Sequence, residues 1–270
     1  MNPLISVSWL KAHLNDENVI VLNATLPKAT AIGKPTETQQ IPNARYFDIK
    51  TKFSDVRARF PNTLPSAEQF NQEAQNLGIN KGSVIVVYDD YGFYSSARAW
   101  WLLKAFGHKQ VAVLNGGLPE WKQAGFPLEK KQSCHYEKGD FSGALQPDFF
   151  QFFNDIEGLK DNPETLILDA RSKDRFEGSL PEPREGLRSG HIPSSVNLPF
   201  QELLSGNTMT SMLELKTIFH KLNPENKSMV FTCGSGVTAC ILALGAELSG
   251  YKNLSVYDGS WTEYGSLKNA

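Results

Sequence analysis

The sequence predicts an α/β protein of two tandem units, each a mostly parallel sheet flanked by helices. Three observations carry that expectation. Short, uninterrupted apolar runs of strand length recur along the chain, helical stretches separate them, and motifs of the first half return in the same order in the second.

The apolar runs are NVIVLNAT (18–25), SVIVVYD (83–89), TLILDAR (165–171) and SMVFTC (228–233). They do not alternate with polar residues, which suits strands buried on both faces of a parallel sheet. Helical stretches follow two of them, SARAWWLLKAFG (96–107) and TACILALGAELSG (238–250), and suit crossover connections. The repeat is legible motif by motif. IPNARYF (41–47) returns as IPSSVNL (192–198), and QVAVLNGGLPEW (110–121) as NLSVYDGSWTEY (253–264), each of the latter ending in an expected Gly-Trp turn. The polar, aperiodic stretch 129–146 marks the boundary. It divides the chain into a unit over 1–130, a linker over 131–145 and a second unit over 146–270.

Composition narrows the class of function. The 270 residues are 40% hydrophobic and 21% charged, as in ordinary globular domains. The 27 Lys and Arg against 29 Asp and Glu give −2, with no global pull toward nucleic acid or an anionic membrane surface. No apolar stretch is long enough to span a bilayer, and the N-terminal residues lack the pattern of a secretion signal. Three cysteines, Cys134, Cys233 and Cys240, argue against a disulfide framework and for a reducing, cytoplasmic compartment. The five histidines show no metal-ligand spacing with cysteine, so no metal and no cofactor is expected.

The chemistry concentrates at Cys233, where an apolar run stops and Cys233-Gly234-Ser235-Gly236-Val237-Thr238 leads into a helical pattern. In open parallel sheets, ligands bind beyond the carboxyl ends of strands. Two glycines let backbone amides converge there, and amides at a helix N-terminus form a nest for anions. Such a field favours thiolate over thiol and would hold a persulfide anion or a developing oxyanion. The bland alternative is a small buried residue on a glycine turn. The repeat weighs against it, because the first half has Asp89-Asp90-Tyr91-Gly92 at the equivalent place and no thiol. A phosphatase loop needs arginine six positions after its cysteine, and Ala239 stands there. Substrate charge is expected to meet the segment 168–193, read as a long surface loop dense in arginine: Arg171, Arg175, Arg184 and Arg188. The alternative is a solvated surface balanced by Glu177, Glu182 and Glu185.

These residues, with DAR (169–171), RF (175–176), EPR (182–184), GHIP (190–193) and YDGSW (257–261), resemble the two-domain rhodanese-like sulfurtransferases over nearly the full length. Within them the neutral loop is similar to that of the enzymes using 3-mercaptopyruvate, since thiosulfate users usually carry charged loop residues. The resemblance implies two rhodanese-like domains, with the catalytic one second. It implies that Cys233 is the nucleophile that becomes a persulfide and that Ser235 assists proton handling. Arg175 and Arg184 would hold the donor's carboxylate and carbonyl, beside the loop residues Gly234, Gly236, Val237 and Thr238. The expected acceptors are a small thiol, cyanide or a thioredoxin-like dithiol. Thiosulfate:cyanide transfer is the alternative activity, and a sulfur carrier with little turnover a third reading. Where relatives have an aspartate and a histidine proposed to work with the loop serine, this chain has Lys50 and Asn62. A Ser-His-Asp relay is therefore not expected here.

Cys240, seven residues after Cys233, reads as a buried helix residue, with a redox partner for Cys233 as the minority reading. Trp100, Trp101, Trp121 and Trp261 are expected in the packing.

Overall fold

The computed structural model describes residues 1–27, 37–132 and 134–267. They divide into two compact units. The first comprises Met1–Asp55, Leu64–Gln146 and Gly206–Thr208; the second comprises Val56–Thr63, Pro147–Ser205 and the residues from Met209 onward.

The first unit holds strands β1 (Leu4–Ile5), β2 (Val19–Asn23), β3 (Arg45–Tyr46), β4 (Val84–Tyr88) and β5 (Val111–Leu114). All neighbours are parallel, in the order β1-β5-β4-β2-β3. Its helices are α1 (Val7–His13), α2 (Ala67–Asn76), α3 (Ser96–Ala105) and α4 (Gly117–Gln123). The second unit holds β6 (Phe150–Gln151), β7 (Thr165–Asp169), β8 (Val196–Asn197), β9 (Ser228–Thr232) and β10 (Leu254–Tyr257). They too are parallel, in the order β6-β10-β9-β7-β8, with helices α5 (Phe153–Leu159), α6 (Lys173–Glu177), α7 (Met212–Leu222), α8 (Ala239–Leu248) and α9 (Ser260–Leu267). Taken within its own unit, each strand has the same place in the order. The duplication in sequence is a duplication of topology.

The continuous apolar runs have their physical cause in this burial. Ile85, Val86, Val87 and Tyr88 of β4, and Met229, Val230, Phe231 and Thr232 of β9, are buried without alternation because helices cover both faces. Eight successive residues of α8, Ala239 to Ala246, are buried as well, so that helix is apolar all round rather than striped. Hydroxyls fix where two helices begin: Ser66 caps α2 by accepting the Gln69 amide, and Ser211 with Glu214 forms a capping box on α7.

Two expectations need correction. The Gly-Trp segments are not simple turns, since their tryptophans lie on α4 and α9 and Trp121 and Trp261 are fully buried. The left-handed Gly116 and Gly117 make the turn, and Pro119 is tolerated because it sits in the first turn of α4. The segment 168–193 is likewise not only surface loop. It contains α6, and it buries Arg171 and Glu182. Its Pro and Gly content signalled irregular backbone correctly but carried no information about burial. Residues 139–146 run along the first unit: Phe141 is buried, and the amides of Gly139, Phe141 and Gln146 donate to Gln75, Ile79 and Ala105. Ser133, inside the expected linker, lies outside the described residues.

Candidate active site

Strand β9 ends at Thr232, and Cys233 is the next residue, 2% exposed, with no hydrogen-bond partner for its sulfur among the described residues. Five residues then turn the chain into α8. The N-terminal end of α9 clamps this loop from below. Ser260 Oγ accepts the amides of Cys233 at 3.2 Å and Gly236 at 3.0 Å, while donating to the Tyr257 carbonyl at 2.9 Å. The amides of Trp261 and Thr262 donate to the carbonyls of Cys233 and Gly234 at 3.0 and 2.9 Å. Gly236 is left-handed, with φ 72°, which makes it the turn residue of the loop; its amide is committed to Ser260.

The clamp leaves the other loop amides open. Those of Gly234, Ser235, Val237 and Thr238 meet no acceptor among the described residues. The first unit displays what a loop of this shape can hold. There Asp89 follows β4 as Cys233 follows β9, and its buried carboxylate fills the loop. Oδ1 accepts the amide of Tyr91, and Oδ2 accepts those of Tyr94, Ser95 and Ser96, all at 2.9 Å. In the first unit a fixed carboxylate satisfies the helix N-terminus; in the second the thiol takes that position, and four loop amides have no acceptor among the described residues.

Two guanidiniums face the loop. A Cβ built on Gly234 would lie 3.2 Å from the Arg175 NH2 and 3.9 Å from the Arg184 NH1, so the missing side chain is what admits them. Arg184 also donates to Thr262 Oγ1 at 2.8 Å, and that hydroxyl donates to the Gly234 carbonyl. Arg171 has a different place. It is buried, bonded to Asp169 at 2.6 Å and to Glu182 at 2.7 Å, and stacks over Trp261 at 4.8 Å. Burial alone would lower its pKa, but the two carboxylates outweigh that and hold it above the ordinary value. Arg188 covers Trp261 at 4.5 Å. Arg175 and Arg184 thus bring two guanidiniums beside the thiol loop, a setting suited to an anionic ligand.

Of the remaining sequence candidates, Val237 is buried, while Ser235 and Thr238 are half-buried. Ser235 is met by Asn62, whose Nδ2 lies 3.0 Å from its Oγ. Lys50 is exposed and makes no hydrogen bond or ion pair among the described residues. Cys240 is fully buried on α8 and its thiol donates to the Gly236 carbonyl at 3.3 Å; Cys134 is exposed. Sequence reasoning missed Ser260 and Thr262. Their partners on the thiol loop lie 24 to 28 positions away, and only the placement of YDGSW just after a strand hinted at them.

A parallel α/β unit with a buried thiol at a strand's carboxyl end, beside loop amides and guanidiniums, has the make-up of a thiol-centred domain able to hold an anion. The duplicate unit keeps the scaffold and replaces the thiol with a carboxylate. The chain belongs to the rhodanese-like domain family, whose model matches it twice, over residues 6–124 and 153–267. Among curated proteins, it is 39% identical to mouse 3-mercaptopyruvate sulfurtransferase, over 97% of this chain and 91% of that protein. It is 37% identical to an Arabidopsis thaliana protein named mitochondrial thiosulfate/3-mercaptopyruvate sulfurtransferase 1, over 97% of this chain and 76% of that one. The crystal structure of SseA from Escherichia coli, described as a 3-mercaptopyruvate sulfotransferase, superposes with a TM-score of 0.86 at 30% identity. That match covers 97% of this chain and 99% of the other.

Proposed function

We propose that this chain is a sulfurtransferase that takes sulfane sulfur from 3-mercaptopyruvate onto Cys233, releases pyruvate, and passes the sulfur to a thiol, a thioredoxin-like dithiol or cyanide. The observation that carries the reading is the pairing of a buried thiol with four loop amides that meet no acceptor among the described residues and two guanidiniums around Gly234. The names of full-length relatives at 32–39% identity support it.

The Cys233 thiolate attacks the donor's sulfur, forming an S–S bond. The C–S bond breaks, and its electron pair passes into the adjacent carbonyl to give the pyruvate enolate. The proton of the donor thiol ends on the enolate carbon, so pyruvate leaves and Cys233 carries a persulfide anion. Arg175 and Arg184 hold the carboxylate and carbonyl of the donor, and the amides of Gly234, Ser235, Val237 and Thr238 hold the persulfide, as amides of the first unit hold Asp89. Gly236 shapes the loop. A second nucleophile attacks the outer sulfur and restores the thiolate, a double displacement.

Two guanidiniums beside the loop suit thiosulfate also, and the Arabidopsis relative is named for both donors. Among the described residues no helix is long and apolar enough to cross a membrane. The three free cysteines support a reducing compartment, and the cytoplasm is our reading of it.

The test compares wild type with Cys233→Ser, feeding mercaptopyruvate or thiosulfate, with pyruvate, sulfite and intact mass as readouts. Wild type is expected to release pyruvate and gain one sulfur, and the folded variant to do neither. Undiminished turnover by the variant would end the proposal. Sulfur loading without turnover would identify a carrier.

A further inference from the structure

Segment Val56–Thr63 belongs to the second unit although it lies early in the chain, and it brings Asn62 to the thiol loop. Asn62 is left-handed, with φ 60°, a conformation that Asn and Asp accept more readily than other residues. Its Nδ2 is 3.0 Å from Ser235 Oγ and 3.4 Å from the Ser235 carbonyl oxygen. A carbonyl only accepts, so the atom facing it must be the amide nitrogen; the opposite orientation would oppose two acceptors. Asn62 is therefore a donor to the Ser235 hydroxyl. That hydroxyl retains its own hydrogen, which has no acceptor among the described residues.

We propose that Asn62 is a positioning residue that takes one lone pair of Ser235 Oγ and so commits the hydroxyl hydrogen to substrate. There it donates to the oxygen of the forming pyruvate enolate, two residues along the loop from the thiolate. No proton is transferred through Asn62 or Ser235: the hydroxyl stabilises charge as C–S breaks, and the donor thiol supplies the proton that carbon receives. The inference rests on the mercaptopyruvate reading above. It gives the site a hydrogen-bond donor for the enolate where no base is available at position 62.

The experiment measures kcat and KM for mercaptopyruvate in wild type, Asn62→Ala, Asn62→Asp, Ser235→Ala and the Asn62→Ala/Ser235→Ala double variant. Asn62→Asp is the informative one. It keeps the shape and the backbone preference but offers only acceptors, so it draws the Ser235 hydrogen away from substrate. Both Asn62 variants are expected to lose roughly ten-fold in kcat, the worth of about one hydrogen bond, with KM little changed. The double variant is expected to be no slower than Ser235→Ala alone, since both changes remove the same oriented hydrogen. Wild-type kcat in Asn62→Asp, or additive losses in the double variant, overturns the inference and leaves the proposed function standing. Failure of wild type to release pyruvate overturns both.

Discussion

Arg175 gives both its Nε and its NH2 to Glu182, at 3.2 and 2.5 Å, which leaves NH1 as the guanidinium nitrogen with no partner among the described residues. Glu182 is fully enclosed and accepts Arg171 NH1 as well, so one carboxylate orients two cations. Removing its charge leaves Arg171 with Asp169 alone and Arg175 with no carboxylate among the described residues, which costs on the order of 3 kcal/mol. Glu182→Gln is expected to lower stability toward urea by that order. It is also expected to raise KM for an anionic donor more than it lowers kcat, because Arg175 loses its orientation while the thiol loop is untouched. Steady-state kinetics beside denaturation curves check this, and an unchanged or lower KM would show that Glu182 does not set the Arg175 geometry.

Ser260 offers a second test, because its single hydroxyl oxygen receives two loop amides. Ser260→Ala strips both buried N–H groups of their acceptor, at a cost of about 2 kcal/mol. The residue also has φ 50°, so Ser260→Gly relieves the backbone while still removing the hydroxyl. If the hydroxyl sets the loop, kcat falls in both variants; the left-handed backbone is equally strained in wild type and the alanine variant, and only the glycine variant relieves it. Wild-type kcat in the glycine variant would show that the loop holds its shape without the Ser260 hydroxyl.

Why the sequence revealed the duplicated sheets and the thiol, yet hid Ser260 and Thr262, follows from the range over which each signal acts. Continuous burial of β4 and β9 forces continuous apolar runs, and a glycine turn between strand and helix is written in adjacent residues. Ser260 reaches back 24 and 27 positions, and nothing in its own neighbourhood marks it as the acceptor for a loop elsewhere. Four arginines in 168–193 looked alike by composition; burial alone separates Arg171, locked between Asp169 and Glu182, from Arg175 and Arg184 beside Gly234. Asn62 was legible as a departure from relatives, but the direction of its hydrogen bond required the position of the Ser235 carbonyl.

The first unit should carry a pH dependence of its own through His108. The ring is 3% exposed and stacks on Phe141 with centroids 5.5 Å apart. Its Nε2 faces the Asn80 carbonyl at 3.4 Å, which fixes the neutral tautomer with hydrogen on Nε2, and Nδ1 is buried with no partner among the described residues. Burial pushes the His108 pKa below its ordinary value, against the weaker opposing pull of the Asn80 carbonyl. The unfolded chain therefore takes up the proton first as pH falls. The stability held by neutral His108 is complete above the unfolded value of about 6.5 and is lost as pH drops through the lower folded value. His108→Phe keeps the stacking and removes the titration. The gap in melting temperature between this variant and wild type is expected to stay constant above neutrality and to shift in the variant's favour on acidification. Melting curves at stepped pH measure it, and two parallel profiles across that range would show that His108 is protonated equally in the folded and unfolded chain.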